Sequence, residues 1–154
     1  MRVILRRLGA SKIQSGKEYN ELYDFNGRLR AKRSILRLRR WGKKALLTFK
    51  GPRLKSEYKK RLEIETSVDF KLARLLLKQL GFSILARYRK KREAYKWGRV
   101  IVTLDYLAGI GGFAEIEGKP RSIEAAARKL GLSEKDREER SYLQILYPAW
   151  RQRD

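Results

Sequence analysis

Ile35-Leu36-Arg37-Leu38-Arg39, Leu46-Leu47-Thr48-Phe49-Lys50, Arg61-Leu62-Glu63-Ile64-Glu65 and Phe113-Ala114-Glu115-Ile116-Glu117 alternate apolar with polar side chains. Successive side chains of a strand point to opposite sides, so each stretch reads as a strand with one apolar and one polar face. Leu36 and Leu38 then oppose Arg37 and Arg39, and Leu47 and Phe49 oppose Thr48 and Lys50. Leu62 and Ile64 oppose Arg61, Glu63 and Glu65, while Ala114 and Ile116 oppose Glu115 and Glu117. Val100, Val102 and Leu104 share a face, leaving Ile101, Thr103 and Asp105 on the other.

Outward from these strands, Arg2 to Leu8 reads as the end of a helix capped by Gly9, and Lys12 to Asp24 as a strand closed by Asn26-Gly27. Ser34–Trp41 and Ala45–Lys50 make a hairpin about Gly42-Lys43, followed by a basic loop from Pro52 to Glu57 and a strand from Tyr58 to Thr66. Asp69 caps a helix in which Phe70, Leu72, Ala73, Leu75, Leu76, Leu77 and Leu80 form a wide apolar face, and Gly81 stops it. Strands are expected at Phe82–Trp97, Val100–Tyr106 and Gly112–Glu117, then helices at Ser122–Leu130 and Ser141–Tyr147. No repeat or linker is visible. Segregated hairpins with a few covering helices predict an α+β domain with a largely antiparallel sheet, its core between helices and apolar strand faces.

At 154 residues the chain reads as one domain, residues 1–154. Its 39 Lys and Arg against 17 acids give +22, which attracts polyanions without naming one. No cysteine is present, which excludes disulfides and thiolate chemistry and fits a cytoplasmic location. No histidine is present either, so a metal would have to be held by carboxylates, favouring Mg²⁺ or Mn²⁺ over zinc. No run approaches the roughly 20 apolar residues that span a bilayer, and no membrane association is expected.

The polar faces have two readings. They can be a solvated side of an open antiparallel sheet. Alternatively the sheet curls into a barrel and they line its interior, which is costly unless water, metal and an anion satisfy the charges. Clustering by strand favours the second, with Arg37, Arg39 and Lys50 in one hairpin and Asp105, Glu115 and Glu117 near the other end.

Tyr23-Asp24, Ile35-Leu36-Arg37-Leu38-Arg39-Arg40, Leu47-Thr48-Phe49-Lys50-Gly51-Pro52, Arg61-Leu62-Glu63-Ile64-Glu65, Leu80-Gly81-Phe82, Lys90-Lys91-Arg92, Leu104-Asp105 and Gly112-Phe113-Ala114-Glu115-Ile116-Glu117 follow in that order. This ordered set, with Ser141-Tyr142-Leu143, resembles the CYTH family of triphosphate tunnel metalloenzymes, which includes class IV adenylate cyclases, thiamine triphosphatases and inorganic triphosphatases. The resemblance implies an antiparallel β tunnel of eight strands covered by helices, binding a triphosphate and a divalent metal (Mg²⁺ or Mn²⁺). It implies Arg37, Arg39, Lys50, Arg61, Lys90 and Arg92 as phosphate ligands, with Arg61, Lys90 and Arg92 the catalytic cations. Glu63, Glu65, Asp105, Glu115 and Glu117 are the implied metal-side carboxylates. Each has a plainer alternative: Arg61 and Lys90 as partners of neighbouring acids, Glu63 and Glu65 as partners of Arg37 or Arg39, and Asp105 as a turn residue. Trp41, Trp97 and Trp150 read as packing residues.

Hydrolysis of inorganic, nucleoside or thiamine triphosphate is the first expectation and cyclisation of ATP the second, because no adenine pocket can be read. A third is a non-catalytic polyphosphate- or RNA-binding module. Removing six proposed phosphate ligands and five acids leaves 33 bases against 12 acids, an excess of 21 that the tunnel does not explain. A homodimer is one assembly the reading allows. The family's first strand carries Glu-x-Glu-x-Lys, and no such motif stands near Met1, so the chain reads as N-terminally truncated with its tunnel open along one edge. Weak or absent turnover is therefore expected. A chain with that strand added should hydrolyse triphosphate faster with Mg²⁺ or Mn²⁺, and equal rates in a phosphate-release assay would refute this.

Overall fold

Glycines set the turns that bring the alternating stretches together. In the computed structural model, which describes residues 1–52 and 61–148, Gly42 takes φ +62° between Trp41 and Lys44, a conformation glycine adopts without a Cβ penalty. Among the described residues there are seven strands: β1 Ser11–Asp24, β2 Ile35–Trp41, β3 Lys44–Lys50, β4 Glu63–Ser67, β5 Ser83–Trp97, β6 Val100–Leu107 and β7 Gly111–Glu117. Five helices accompany them: α1 Arg2–Arg7, α2 Arg28–Ala31, α3 Phe70–Gln79, α4 Pro120–Lys129 and α5 Tyr142–Leu146. The strands hydrogen-bond in the order β4-β3-β2-β1-β5-β6-β7, an order that does not return on itself. Antiparallel ladders join β1 to β2, β2 to β3, β3 to β4, β5 to β6 and β6 to β7. The α+β class and antiparallel sheet expected from the sequence are both present. No described helix is long and apolar enough to cross a membrane.

The chain divides into two compact units, and the long strands β1 and β5 contribute to both. The first comprises Met1–Lys17 and Lys90–Ser141. Its core packs Leu5 of α1 and Ala126 and Leu130 from α4 and its end against Tyr95, Val100 and Val102, with Trp97 and Ile116 partly buried beside them. The second comprises Glu18–Arg89 and Tyr142–Asp154. There Ala73 and Leu77 of α3 pack on Tyr23 and Leu38, and a separate cluster joins Leu143 of α5 to Leu22 and Ala86.

Local chemistry explains α3. The Asp69 carboxylate accepts the Leu72 N–H at 2.8 Å, and Gly81 ends the helix at φ +84°, where a Cβ would meet the Phe25 ring at 3.0 Å. The wide apolar face is only part of the core, because Leu72, Leu75, Leu76 and Leu80 are exposed. Beyond the expectations, α2 follows Asn26-Gly27, both at positive φ. β4 begins only at Glu63, and Leu62 precedes it with its carbonyl bonded to the Gly51 N–H at 2.9 Å. The expected Pro52–Glu57 loop, the start of the Tyr58 strand and Trp150 lie wholly or largely outside the described residues.

Asp69→Ala should cost about 1 kcal/mol through the lost cap. Leu77→Ala should cost about 2–5 kcal/mol through a core cavity. Leu76→Gln should be close to neutral. Urea denaturation of the three variants checks which side of α3 is buried.

Candidate functional site

In the second unit, ladder register assembles the charged face. Asn20 stands across from Arg39, Leu22 from Arg37, Arg37 from Thr48 and Ile35 from Lys50. Thr48 and Lys50 are in turn opposite Glu65 and Glu63. Cross-strand neighbours point to the same side, so Glu18, Asn20, Arg37, Arg39, Thr48, Lys50, Glu63 and Glu65 share one face.

Lys50 Nζ donates to Glu63 Oε1 at 2.7 Å, and Arg61 Nε lies 3.5 Å from the same oxygen. Arg39 Nη2 and Arg37 Nη2 approach Glu65 Oε2 at 3.3 and 3.9 Å, and Thr48 Oγ1 donates to it at 2.7 Å. Arg39 Nη1 also lies 3.9 Å from Glu18 Oε2, whose other oxygen accepts Asn20 Nδ2 at 2.9 Å. The four basic side chains are only 14–16% exposed. They outnumber the three acids Glu18, Glu63 and Glu65, and the titration shifts register that surplus. Burial and then the Arg37 charge push Lys50 below the ordinary lysine range, although Glu63 pulls the other way. Glu63 lies below the ordinary carboxylate range: burial works to raise it, but the Lys50 hydrogen bond and the surrounding cations prevail. Arg37 Nε and Asn20 Oδ1 are buried without a hydrogen-bond partner. An unmet guanidinium donor in a cation-rich face suits an anion's oxygen.

The first unit carries the other candidates, on β5, β6 and β7. Lys90 Nζ donates to Asp105 Oδ2 at 2.9 Å, and Arg92 donates to both Asp105 oxygens at 2.6 and 2.5 Å. Arg92 Nη2 also reaches Glu115 Oε2 at 2.6 Å. Asp105, 3% exposed, lies inside β6 rather than in a turn. Two cations here balance two carboxylates. Glu117 is exposed, across from Ile101.

Of the carboxylates read as metal-side residues, Glu63, Glu65, Asp105 and Glu115 each accept a hydrogen bond from a basic side chain. Among the described residues no three His, Cys, Asp or Glu side chains group as a metal site. This donor set does not fit a resident divalent ion. Sequence reasoning missed Glu18, Asn20 and Thr48, none with measurable exposure. Their signal was available: Glu18 and Asn20 alternate inside a strand, as Thr48 does with Leu47 and Phe49.

The second unit thus presents an antiparallel sheet of an α+β protein with Arg, Lys and Glu interleaved on one face. The chain belongs to the CYTH domain family, whose profile matches residues 1–142. It is 34% identical over 117 residues to a Methanocaldococcus jannaschii protein named "Putative adenylate cyclase MJ0240", covering 73% of this chain and 66% of that one. A Vibrio parahaemolyticus structure described as a "putative adenylate cyclase" superposes with TM-score 0.83 at 26% identity, over 94% of this chain and 88% of that one. A Hippeastrum protein described as a "putative adenylyl cyclase" that reveals a dominant triphosphatase activity shares the fold, with TM-score 0.71 at 18% identity over 96% of this chain and 89% of that one.

The two shifts carry opposite pH signatures. Lys50, lowered in the folded state, costs stability while protonated, and that cost lifts as pH rises through its folded pKa. Glu63 contributes stability above the ordinary carboxylate range and loses it as pH falls through its lowered pKa. Glu63→Gln should therefore flatten the acid limb of stability and drive the Lys50 midpoint further down, whereas Arg37→Gln should raise that midpoint. NMR titration of the lysine Cε resonances reads it, and no movement in either variant would overturn the assignment.

Proposed function

We propose that this chain binds a triphosphate, inorganic or as the tail of an organic molecule, and hydrolyses a phosphoanhydride bond. The observation that carries the reading is the cation surplus of Arg37, Arg39, Lys50 and Arg61 with its unmet Arg37 Nε donor. Arginine offers planar forks to phosphate oxygens and lysine a point charge. Phosphoryl transfer demands chiefly positioning and charge neutralisation, so the lack of His and Cys is no obstacle. Water adds to the terminal phosphorus, the bridging P–O bond breaks and a proton is released, giving orthophosphate and the shortened chain. Arg61, Lys90 and Arg92 are the proposed catalytic cations, on the strength of the family resemblance. Magnesium or manganese would arrive with the substrate as its complex.

A second reading, cyclisation of ATP, is favoured by the printed names of the Methanocaldococcus and Vibrio relatives. It joins the ribose 3′-oxygen to the α-phosphorus and expels pyrophosphate.

Isothermal titration with tripolyphosphate in EDTA should detect binding, weakened about tenfold or more by Lys50→Ala or Arg39→Ala. Chromatography of ATP incubations with Mg²⁺ or Mn²⁺ should give orthophosphate, whereas cyclic AMP with pyrophosphate would establish the second reading. Undiminished binding in both variants would sink the proposed phosphate site.

A further inference from the structure

A second group of cations lies on the opposite face of the second unit, where the proposed triphosphate site has no part. Tyr19, Glu21 and Arg40 have the strand parity opposite to Glu18, Asn20 and Arg39, and so stand on the side covered by α3. Glu21 is wholly buried. Its carboxylate accepts Tyr19 Oη at 2.8 Å, Tyr23 Oη at 2.6 Å and Arg87 Nε at 3.2 Å, and Arg74 Nε of α3 lies 3.4 Å away. Around this anchor, the Arg40 guanidinium sits 5.0 Å from the Phe70 ring centre and 6.0 Å from that of Tyr19. Arg89 lies 5.2 Å from the Tyr19 ring centre, and the two rings are 5.9 Å apart.

Four guanidiniums thus surround one carboxylate and two rings tilted at 56° to each other. Arg74 and Arg87 are about half exposed, and Arg40 and Arg89 are exposed. Solubilising cations need no such anchoring. Here a buried carboxylate and aromatic faces fix the planar heads, which lowers the ordering cost of meeting a ligand.

We propose that this arginine face binds single-stranded nucleic acid, independently of the triphosphate site. Guanidinium edges take backbone phosphates, and guanidinium planes backed by Tyr19 and Phe70 stack with unpaired bases. An anionic bilayer is the poorer fit. At about 100° per residue, the exposed leucines of α3 lie roughly 100° (Leu75), 120° (Leu80) and 160° (Leu72 and Leu76) round the helix from Arg74, so the apolar stripe is centred away from the arginines. The face also gives a place to part of the excess of 21 positive charges that the proposed phosphate and metal-side residues leave over.

Fluorescence anisotropy with a labelled mixed-sequence 12-nucleotide RNA tests this on the whole chain. Arg40→Gln/Arg89→Gln should weaken binding at least tenfold and make the log–log salt slope shallower by about 1.4, two phosphate contacts at about 0.7 each. Lys32→Gln/Lys43→Gln, an equal charge change on exposed loop lysines, should have a much smaller effect. Arg40→Lys/Arg89→Lys should keep the salt slope yet bind more weakly than the parent, which separates stacking from charge and serves if the glutamine pair fails to fold. Tripolyphosphate binding should be unchanged in every folded variant. Equal losses in the glutamine pairs, undiminished affinity in the lysine pair, no RNA binding by the parent, or preference for phosphatidylserine vesicles over RNA would each overturn the proposal.

Discussion

Lys50 donates to Glu63 while Arg37 and Arg61 crowd it, and the rest of the second unit's charged face is built around that imbalance. The constraint behind it is antiparallel register. A one-residue slip of β3 against β2 or β4 would turn Lys50 and Thr48 to the helix side and bring Leu47 and Phe49 onto the charged face. The apolar set opposes this, because Leu47 packs against the cluster that Leu38 forms with Ala73 and Leu77 of α3. The core therefore decides which charges meet. Arg37 and Arg39 converge on Glu65, Lys50 and Arg61 on Glu63, and Glu18 braces Arg39 from its other side.

The two units use the same residue types to different ends. In the first, Asp105 accepts both arms of Arg92 and the Lys90 ammonium, and Glu115 takes a further Arg92 bond. In this buried cluster the acids match the cations in number, and removing Asp105 would strand two buried cations. In the second, the cations exceed the acids, one guanidinium nitrogen is unmet and a lysine is pushed towards neutrality. An added anion would relieve a group of that sort, as the proposed phosphate site requires.

Period-two alternation made the strands and their polar faces readable, because the pattern survives burial on one side. The Asp69 cap and the glycine turns were likewise legible, each resting on a local backbone requirement. What could not be read was the fate of individual carboxylates. Glu63 and Glu65 look the same in sequence whether they await a metal or accept Lys50 and Thr48, and only the cross-strand partner decides. Glu21 was invisible for a related reason: it sits on the apolar side of β1, where alternation expects a hydrophobe, and survives there through two tyrosines and two arginines. The exposed half of α3 also escaped, since a helix with a very wide apolar face does not announce which arc meets the sheet.

A net charge of +22 favours approach of polyanions in general, so net charge alone cannot discriminate among phosphates. Discrimination has to come from where guanidinium planes are held. On one face of the second unit they are held by glutamates in the sheet, 15–16% exposed for Arg37 and Arg39, where a compact, highly charged group can replace their water. On the other they lie over aromatic rings at the surface, where an extended ligand can lay phosphates and bases side by side. The same field would draw both ligands in, and salt would slow both encounters. At physiological ionic strength the Debye length is about 8 Å, so salt should weaken binding at the exposed arginines over the rings more than at the largely buried cations of the other face.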